Sequence, residues 1–188
     1  MTKIFSRPAF AVLAPPSPRF LPGTRLATPS GPRNVEVLVE GDLLSTRDGA
    51  VPIRRIGVTA VPRAETTSRR DVWPVRVPVG SLGNPVPLRL RADQRVVLAG
   101  DQVLEHCGVA RASVALSDLV GLRGLMYERP LADLRWFGLA LDASALLRVE
   151  GAVCELADGP GDSGPDREAA RAAFQAMNAV GEPKLVAF

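Results

Sequence analysis

The chain is poor in the residue types that build metal sites and disulfide scaffolds. Its 188 residues include two cysteines, Cys107 and Cys154, and one histidine, His106. Cysteines that are this few and this far apart cannot form a disulfide scaffold or a zinc knuckle. We interpret both as small buried apolar residues. We therefore expect no metal and no cofactor.

Lysine is also scarce, because Lys3 and Lys184 are the only two and the remaining basic residues are arginines. Residues 1–100 carry 15 basic and seven acidic side chains, whereas residues 101–188 carry eight and 13. A nucleic-acid interface needs clustered basic residues, and here they are scattered as pairs such as Arg54-Arg55. We interpret the asymmetry as complementarity between the two halves and expect no nucleic-acid binding.

Long apolar runs are absent from the sequence. None approaches the ~20 residues that span a bilayer, so no membrane association is expected. At the start, Lys3 and Arg7 precede a short apolar run, residues 9–14, which Pro15 and Pro16 interrupt. This run is marginal for a signal peptide. We expect a cytoplasmic location, with secretion left open.

Glycine and proline are frequent, with 17 of each. They favour short strands joined by turns and argue against a helix bundle. Hydrophobic residues make up 46% and charged residues 23%, which predicts a folded chain of one domain. We expect an all-β fold of short strands and hairpins with one C-terminal α-helix. The predicted boundaries are a proline-rich arm (1–18), a β domain (19–157), and a linker with the helix (158–188).

Several local patterns make more detailed predictions. Asp48-Gly49 between apolar segments predicts a hairpin. Residues 134–141 and 145–154 are dense in apolar side chains and predict two paired core strands joined at residues 142–144. Residues 59–72 are polar and aperiodic and predict an exposed loop. Residues 99–101 predict another hairpin turn.

The C-terminal helix is predicted over residues 167–180. This stretch is rich in alanine and has Phe174 and Met177 at helical spacing. Ser163 is the expected cap of the first amides, and Asp166 suits the positive end of the helix dipole. We expect the helix to dock on the β domain through its apolar face.

A series of motifs runs in order along the chain: Arg19-Phe20-Leu21-Pro22-Gly23-Thr24, Glu40-Gly41-Asp42-Leu43-Leu44-Ser45-Thr46, Pro52-Ile53-Arg54-Arg55-Ile56-Gly57, Arg95-Val96-Val97-Leu98, Leu119-Val120-Gly121-Leu122 and residues 142–155. Over roughly residues 19–156, this series resembles the Hint (hedgehog/intein) domains of bacterial proteins. The resemblance implies a compact all-β fold whose active members cleave their own backbone. Their chemistry needs a thiol or hydroxyl at the first residue, which attacks the preceding carbonyl. It also needs a histidine that polarises the scissile amide and protonates its nitrogen.

The sequence departs from the family at those positions. Arg19 stands where the family has its nucleophilic cysteine, and arginine cannot act as a nucleophile. Gln94 stands at the expected imidazole, and an amide has no pKa near neutrality. Gly138 and Ser144 stand where later histidines are expected. The resemblance therefore implies a degenerate, catalytically inactive member.

Two functions remain open from the sequence. In the first, the protein is a binding or structural module that uses the groove of the former active site, lined by Arg19, Asp93, Gln94, Gly138 and Ser144, for a protein or peptide partner. In the second, it is an autoprocessing protein with a different nucleophile: Ser17, Cys107 or Cys154. His106 is next to Cys107, but neighbouring residues on a strand point to opposite faces, so we expect no catalytic pair there.

Overall fold

A computed structural model describes residues 18–156 and 164–179, and most of these residues lie in β-strands or the turns between them. The described residues contain 14 strands: β1 (Pro18–Phe20), β2 (Arg25–Leu26), β3 (Arg33–Asn34), β4 (Leu43–Thr46), β5 (Gly49–Pro52), β6 (Arg55–Val61), β7 (Pro74–Val77), β8 (Leu88–Arg91), β9 (Arg95–Ala99), β10 (Arg111–Ala115), β11 (Met126–Tyr127), β12 (Leu134–Ala140), β13 (Ala145–Val149) and β14 (Ala152–Leu156). The helices are α1 (Arg63–Thr66), α2 (Asp101–Cys107), α3 (Leu116–Leu119) and α4 (Arg167–Ala179). This confirms the predicted β fold with a C-terminal helix.

The strands form two antiparallel sheets. The first has the order β11-β7-β8-β1-β12-β6, and the second has the order β10-β9-β14-β13-β2-β3, with β4 pairing to β13 and β5 to β4. One apolar core joins both sheets, because Phe20 and Leu90 of the first pack in the same cluster as Val96 and Leu147 of the second. A smaller cluster forms around Trp136 on the other side of the first sheet.

The predicted pairing of residues 134–141 with 145–154 is wrong. Residues 134–140 form β12, which pairs with β6 and β1, whereas β13 belongs to the second sheet. Residues 145–154 are also not one strand, because Glu150 and Gly151 turn the chain and β13 pairs with β14 as a hairpin. Both turn residues have positive φ, 47° and 89°, which is the conformation that tight hairpin turns require. The Asp48-Gly49 hairpin is confirmed, because Thr46 pairs with Gly49 across it.

Two predictions of irregular structure are corrected. Residues 99–101 do not form a hairpin turn, because Asp101 begins helix α2, which ends at Cys107 and is capped by Gly108 with a left-handed φ of 70°. Residues 59–72 are largely exposed as predicted, but they are not a continuous loop, since β6 continues to Val61 and helix α1 follows. Their apolar or small members, Val61, Thr66 and Val72, are buried. The average polarity of the segment does not reveal that these three side chains are buried.

Helix α4 docks on the β domain as predicted. Ala170, Ala173 and Phe174 are fully buried, and Arg171 donates from Nη1 to the carbonyl oxygens of Asp118 (2.6 Å) and Val120 (3.0 Å). The expected cap Ser163 lies outside the described residues. The Asp166 carboxylate caps the helix, because its Oδ2 accepts from the amides of residues 168 and 169. Within the described residues, no helix is both long and apolar enough to cross a membrane.

Candidate functional site

Arg19 lies at a bulge in strand β1. This strand runs between β8 and β12, and its register to β12 changes from Pro18 opposite Gly138 to Phe20 opposite Phe137. Two steps along β1 thus match one step along β12, which leaves Arg19 as the extra residue. Bulges of this kind redirect a side chain and are common near active sites. The Arg19 side chain is directed into the protein, with 8% of the residue exposed.

Gln94 is completely buried just before strand β9. Its Nε2 donates to the carbonyl oxygens of Arg95 and Glu155, each at 2.8 Å. Its Oε1 is buried without a hydrogen-bond partner among the described residues. The two carbonyl acceptors fix the orientation of the amide, since a flipped amide would place oxygen against oxygen. Gln94 therefore ties the turn before β9 to the end of β14.

The thiol of Cys154 lies close enough to Arg19 to feel its charge. Cys154 sits in β14 opposite Val96 and is fully buried. Burial raises the pKa of this thiol to about 12, and the positive charge of Arg19 opposes the shift only in part. The thiolate is the nucleophilic form of cysteine. At neutral pH, Cys154 is therefore a protonated and unreactive thiol.

Of the other three predicted groove residues, one is buried and two are exposed. Gly138 is buried in β12, where it pairs with Pro18 on one side and Gly57 on the other. Ser144 is exposed and precedes Ala145, which pairs with Leu156 of β14. Asp93 is exposed in the turn after β8, and its carboxylate accepts from Arg91 Nε at 3.1 Å. A partner in solution can therefore reach Asp93 and Ser144 directly, whereas Arg19, Gln94 and Gly138 are covered.

The remaining candidate nucleophiles and the histidine lie elsewhere. His106 is exposed on helix α2, not on a strand as predicted. Cys107 ends the same helix, is half-buried, and has a pKa raised by burial. Ser17 lies outside the described residues. In residues 18–156 and 164–179, no group of three or more His, Cys, Asp or Glu is arranged to hold a metal ion.

Arg19 at the β1 bulge and Gln94 before β9 can each supply polar interactions. The guanidinium of Arg19 supplies a permanent positive charge, and Gln94 supplies one unused acceptor. Neither side chain can take up a proton from a nucleophile or deliver one to a leaving nitrogen at neutral pH.

A second polar cluster was not predicted from the sequence. Arg95, Ser113 and Glu155 meet on the outer face of the second sheet, where Arg95 Nε donates to Ser113 Oγ at 2.9 Å and to Glu155 Oε2 at 3.2 Å. Their signal in the sequence is at least one polar residue at an outward position of each of three largely apolar strands. That signal becomes specific only once the pairing of β9, β10 and β14 is known.

Comparisons with known proteins agree on one fold. The family model described as "Hint domain" matches residues 18–158. An intein-like domain from Clostridium thermocellum is 11% identical with a TM-score of 0.50 and covers 76% of this chain and 99% of that chain. A splice-inactive variant of the AceL NrdHF class 3 split intein is 9% identical, also with a TM-score of 0.50, and covers 77% and 100%. At these identities the solved structures show a shared fold alone. A search of curated proteins finds no match.

Proposed function

The chain belongs to the Hint domain family, and from that premise we propose that it keeps the fold of a self-cleaving protein without the self-cleaving chemistry and acts as a binding or structural module. The observation that carries this proposal is the pair of substitutions at Arg19 and Gln94. By the resemblance they stand at the positions of the nucleophile and the imidazole, at two separate points of the chain, and both side chains are buried.

Arg19 supports the proposal through its chemistry and its burial. The first residue of the domain must attack the carbonyl before it, and a guanidinium has no nucleophilic lone pair at accessible pH. Because this side chain is directed inward at the bulge, it occupies space next to the bond between residues 18 and 19. Loss of the nucleophile therefore comes with a bulky charged group at the same place.

Gln94 supports the proposal through its hydrogen bonds. A catalytic imidazole would need a free nitrogen near the scissile amide and a pKa near neutrality. Gln94 instead uses its amide nitrogen to hold two strand carbonyls. Its role in this protein is to stabilise the fold.

The alternative is autoprocessing by a different nucleophile. Cys154 is the candidate that an observation favours, because its thiol lies within electrostatic range of Arg19. Its pKa of about 12 and its complete burial argue against it. No imidazole can serve as its base, because the single histidine of the chain is exposed on α2.

A cleavage assay separates these two functions. The full chain is incubated with dithiothreitol and with hydroxylamine, which trap a thioester or ester, and is followed by gel electrophoresis and N-terminal sequencing. We expect no fragment that begins at Arg19 or Phe20. If such a fragment forms, alanine variants of Ser17, Cys107 and Cys154 identify the nucleophile, and the proposal of inactivity fails.

The binding role is tested at the exposed part of the predicted groove. The tagged full chain is used to capture proteins, and capture is compared between the wild type and the double variant Asp93→Arg with Ser144→Trp. The control is Asp48→Arg, which changes an exposed aspartate in another turn. We expect the double variant to lose a partner that the control retains. Equal capture by all three proteins would remove the support for binding at this groove.

A further inference from the structure

A cavity of about 450 Å³ lies on the outer face of the second sheet. Cavities that hold small ligands are about 300 to 1,000 Å³, so this one has room for a short peptide. It is separate from the former cleavage site, and the inference drawn from it does not depend on whether self-cleavage is lost. Its polar wall consists of Arg95, Cys107, Arg111, Ser113, Glu155 and the backbone of Gly164.

Strand alternation explains why polar side chains meet in this cavity. In β9, β10 and β14, the side chains of Val96, Val114 and Cys154 point into the core and are buried. The neighbouring positions therefore point to the opposite face. Two of these neighbours, Arg95 and Glu155, lie directly opposite each other across the β9–β14 pair.

The floor of the cavity is a fixed hydrogen-bonded group. Arg95 Nη2 donates to the carbonyl oxygen of Ser113 at 2.5 Å, and Arg95 Nε donates to Ser113 Oγ and to Glu155. Ser113 Oγ donates to the same carboxylate oxygen, Glu155 Oε2. The side chains of Arg95 and Glu155 are 19% and 18% exposed, so both are largely held by the protein while one edge of each reaches the cavity.

The start of the C-terminal segment closes one side of the cavity. A Cβ atom on Gly164 would lie 2.5 Å from the carbonyl oxygen of Ser113 and 2.7 Å from Arg95 Nη2. Only glycine permits this close approach. The backbone before helix α4 is therefore packed directly on the floor and forms a fixed wall.

The floor retains one unused donor and one unused acceptor. Among the described residues, Arg95 Nη1 and Glu155 Oε1 have no hydrogen-bond partner. A donor and an acceptor that line one cavity complement a peptide amide, whose oxygen accepts and whose nitrogen donates. A free phosphate or other simple anion would leave the acceptor on Glu155 unsatisfied and would meet its negative charge.

Arg111 lies further along the same face of the cavity. It is two residues before Ser113 in β10, and it is exposed. Two residues of an extended strand span about 7 Å, so the Cα atom of Arg111 lies about 7 Å from that of Ser113. This is also about the distance between two groups that are two residues apart in an extended peptide. An arginine at that distance is suited to a carboxylate, which it binds with two parallel hydrogen bonds.

We propose that this cavity binds the carboxyl-terminal end of an extended peptide, with a backbone amide between Arg95 and Glu155 and the terminal carboxylate on Arg111. Val109, Ala112 and Pro165 complete the lining and leave room for small apolar side chains. The ligand class is thus defined by one amide, one carboxylate and a short apolar segment between them.

The test uses N-acetyl-trialanine and its C-terminal amide as matched probes on the full chain. Binding is measured by calorimetry and by protection of Cys107, which lies in the cavity wall, from a maleimide reagent. A charge-assisted hydrogen bond contributes about tenfold or more to affinity. We expect the acid to bind at least tenfold more tightly than the amide and to slow the labelling of Cys107.

Two variants locate the carboxylate. Arg111→Gln is expected to reduce binding of the acid to the level of the amide while leaving amide binding unchanged, because only the acid uses this side chain. Arg129→Gln removes another exposed arginine and is expected to change neither. Equal binding of acid and amide to the wild type, no binding at millimolar concentration, or an equal loss for both probes in Arg111→Gln would overturn the proposal.

Discussion

The structural role of Gln94 leads to a prediction about stability. Replacement by leucine keeps the approximate size of the side chain and removes both polar ends. The two hydrogen bonds from Nε2, to the carbonyl oxygens of Arg95 and Glu155, are then lost. If the amide acts as a tie between the turn before β9 and the end of β14, the variant is less stable than the wild type.

The expected loss of stability can be worked out from the two hydrogen bonds of Gln94. A neutral hydrogen bond contributes about 0.5 to 1.5 kcal/mol net, so the loss of two costs about 1 to 3 kcal/mol. Removal of Oε1, which is buried without a described partner, offsets part of that cost. We expect a net loss of about 1 to 2 kcal/mol in the free energy of unfolding, which lowers Tm by about 2 to 8 °C in a chain of this size.

Thermal and urea unfolding followed by circular dichroism measure this change. The matched control is Asp93→Ala in the same turn, which removes an exposed carboxylate whose ion pair with Arg91 contributes about 0 to 1 kcal/mol. The reasoning is refuted if Gln94→Leu unfolds within about 0.5 kcal/mol of the wild type, since random surface changes produce differences of that size.

Three further predictions follow from the packing. Phe174→Ala removes a fully buried ring from the α4 interface and should destabilise the protein by about 3 to 5 kcal/mol in urea unfolding. Gly151→Ala should lower Tm, because φ is +89° there and a Cβ would lie 2.8 Å from Pro85 Cδ. Maleimide should label Cys107 in the native protein and Cys154 only after unfolding, because burial raises the pKa of Cys154 to about 12 and closes access to it.

Each of these three predictions can be contradicted by a specific result. Leu131→Ala truncates an apolar side chain that is 81% exposed, and an equal loss in both variants would argue against a specific role for Phe174. Gly31→Ala has a similar positive φ of +106° with nothing within 4 Å, so an equal Tm for Gly31→Ala and Gly151→Ala would show that the contact with Pro85 has no effect. Rapid native labelling at two sites would contradict the burial of Cys154.

The sequence predicts the β-rich fold because its local signals agree with it. Asp48-Gly49 forms the expected tight hairpin, and residues 167–179 form the expected helix. In each case, the residues that determine the structure are neighbours in the chain. The assignment of Arg19 and Gln94 to the positions of the family's active-site residues comes from the resemblance. The pairing of Pro18 with Gly138 places Arg19 close to Gly138, another of the predicted groove residues.

The errors arise where distant residues decide the outcome. The apolar residues of β12 and β13 make the two strands look suited to pair with each other. In the structure, β12 instead forms its hydrogen bonds with β6 and β1, and β13 pairs with β14. The sequence does not predict the Glu150-Gly151 turn, because glutamate rarely adopts a positive φ, and here its carboxylate is held by Arg25. It does not predict the cavity at Arg95 either, because the cavity forms only when three strands and the start of α4 are placed together.

The central claim is that self-cleavage is lost because Arg19 and Gln94 replace the nucleophile and the imidazole. Intact mass spectrometry with added thiol, on the wild type, Arg19→Cys, and Arg19→Cys with Gln94→His, tests it most directly. The account predicts a single full-length mass for the wild type and thiol-dependent cleavage before residue 19 in the double variant, about 10² to 10⁴ times faster than in Arg19→Cys alone. A wild-type fragment beginning at residue 19, or a double variant no faster than the single one, would contradict it.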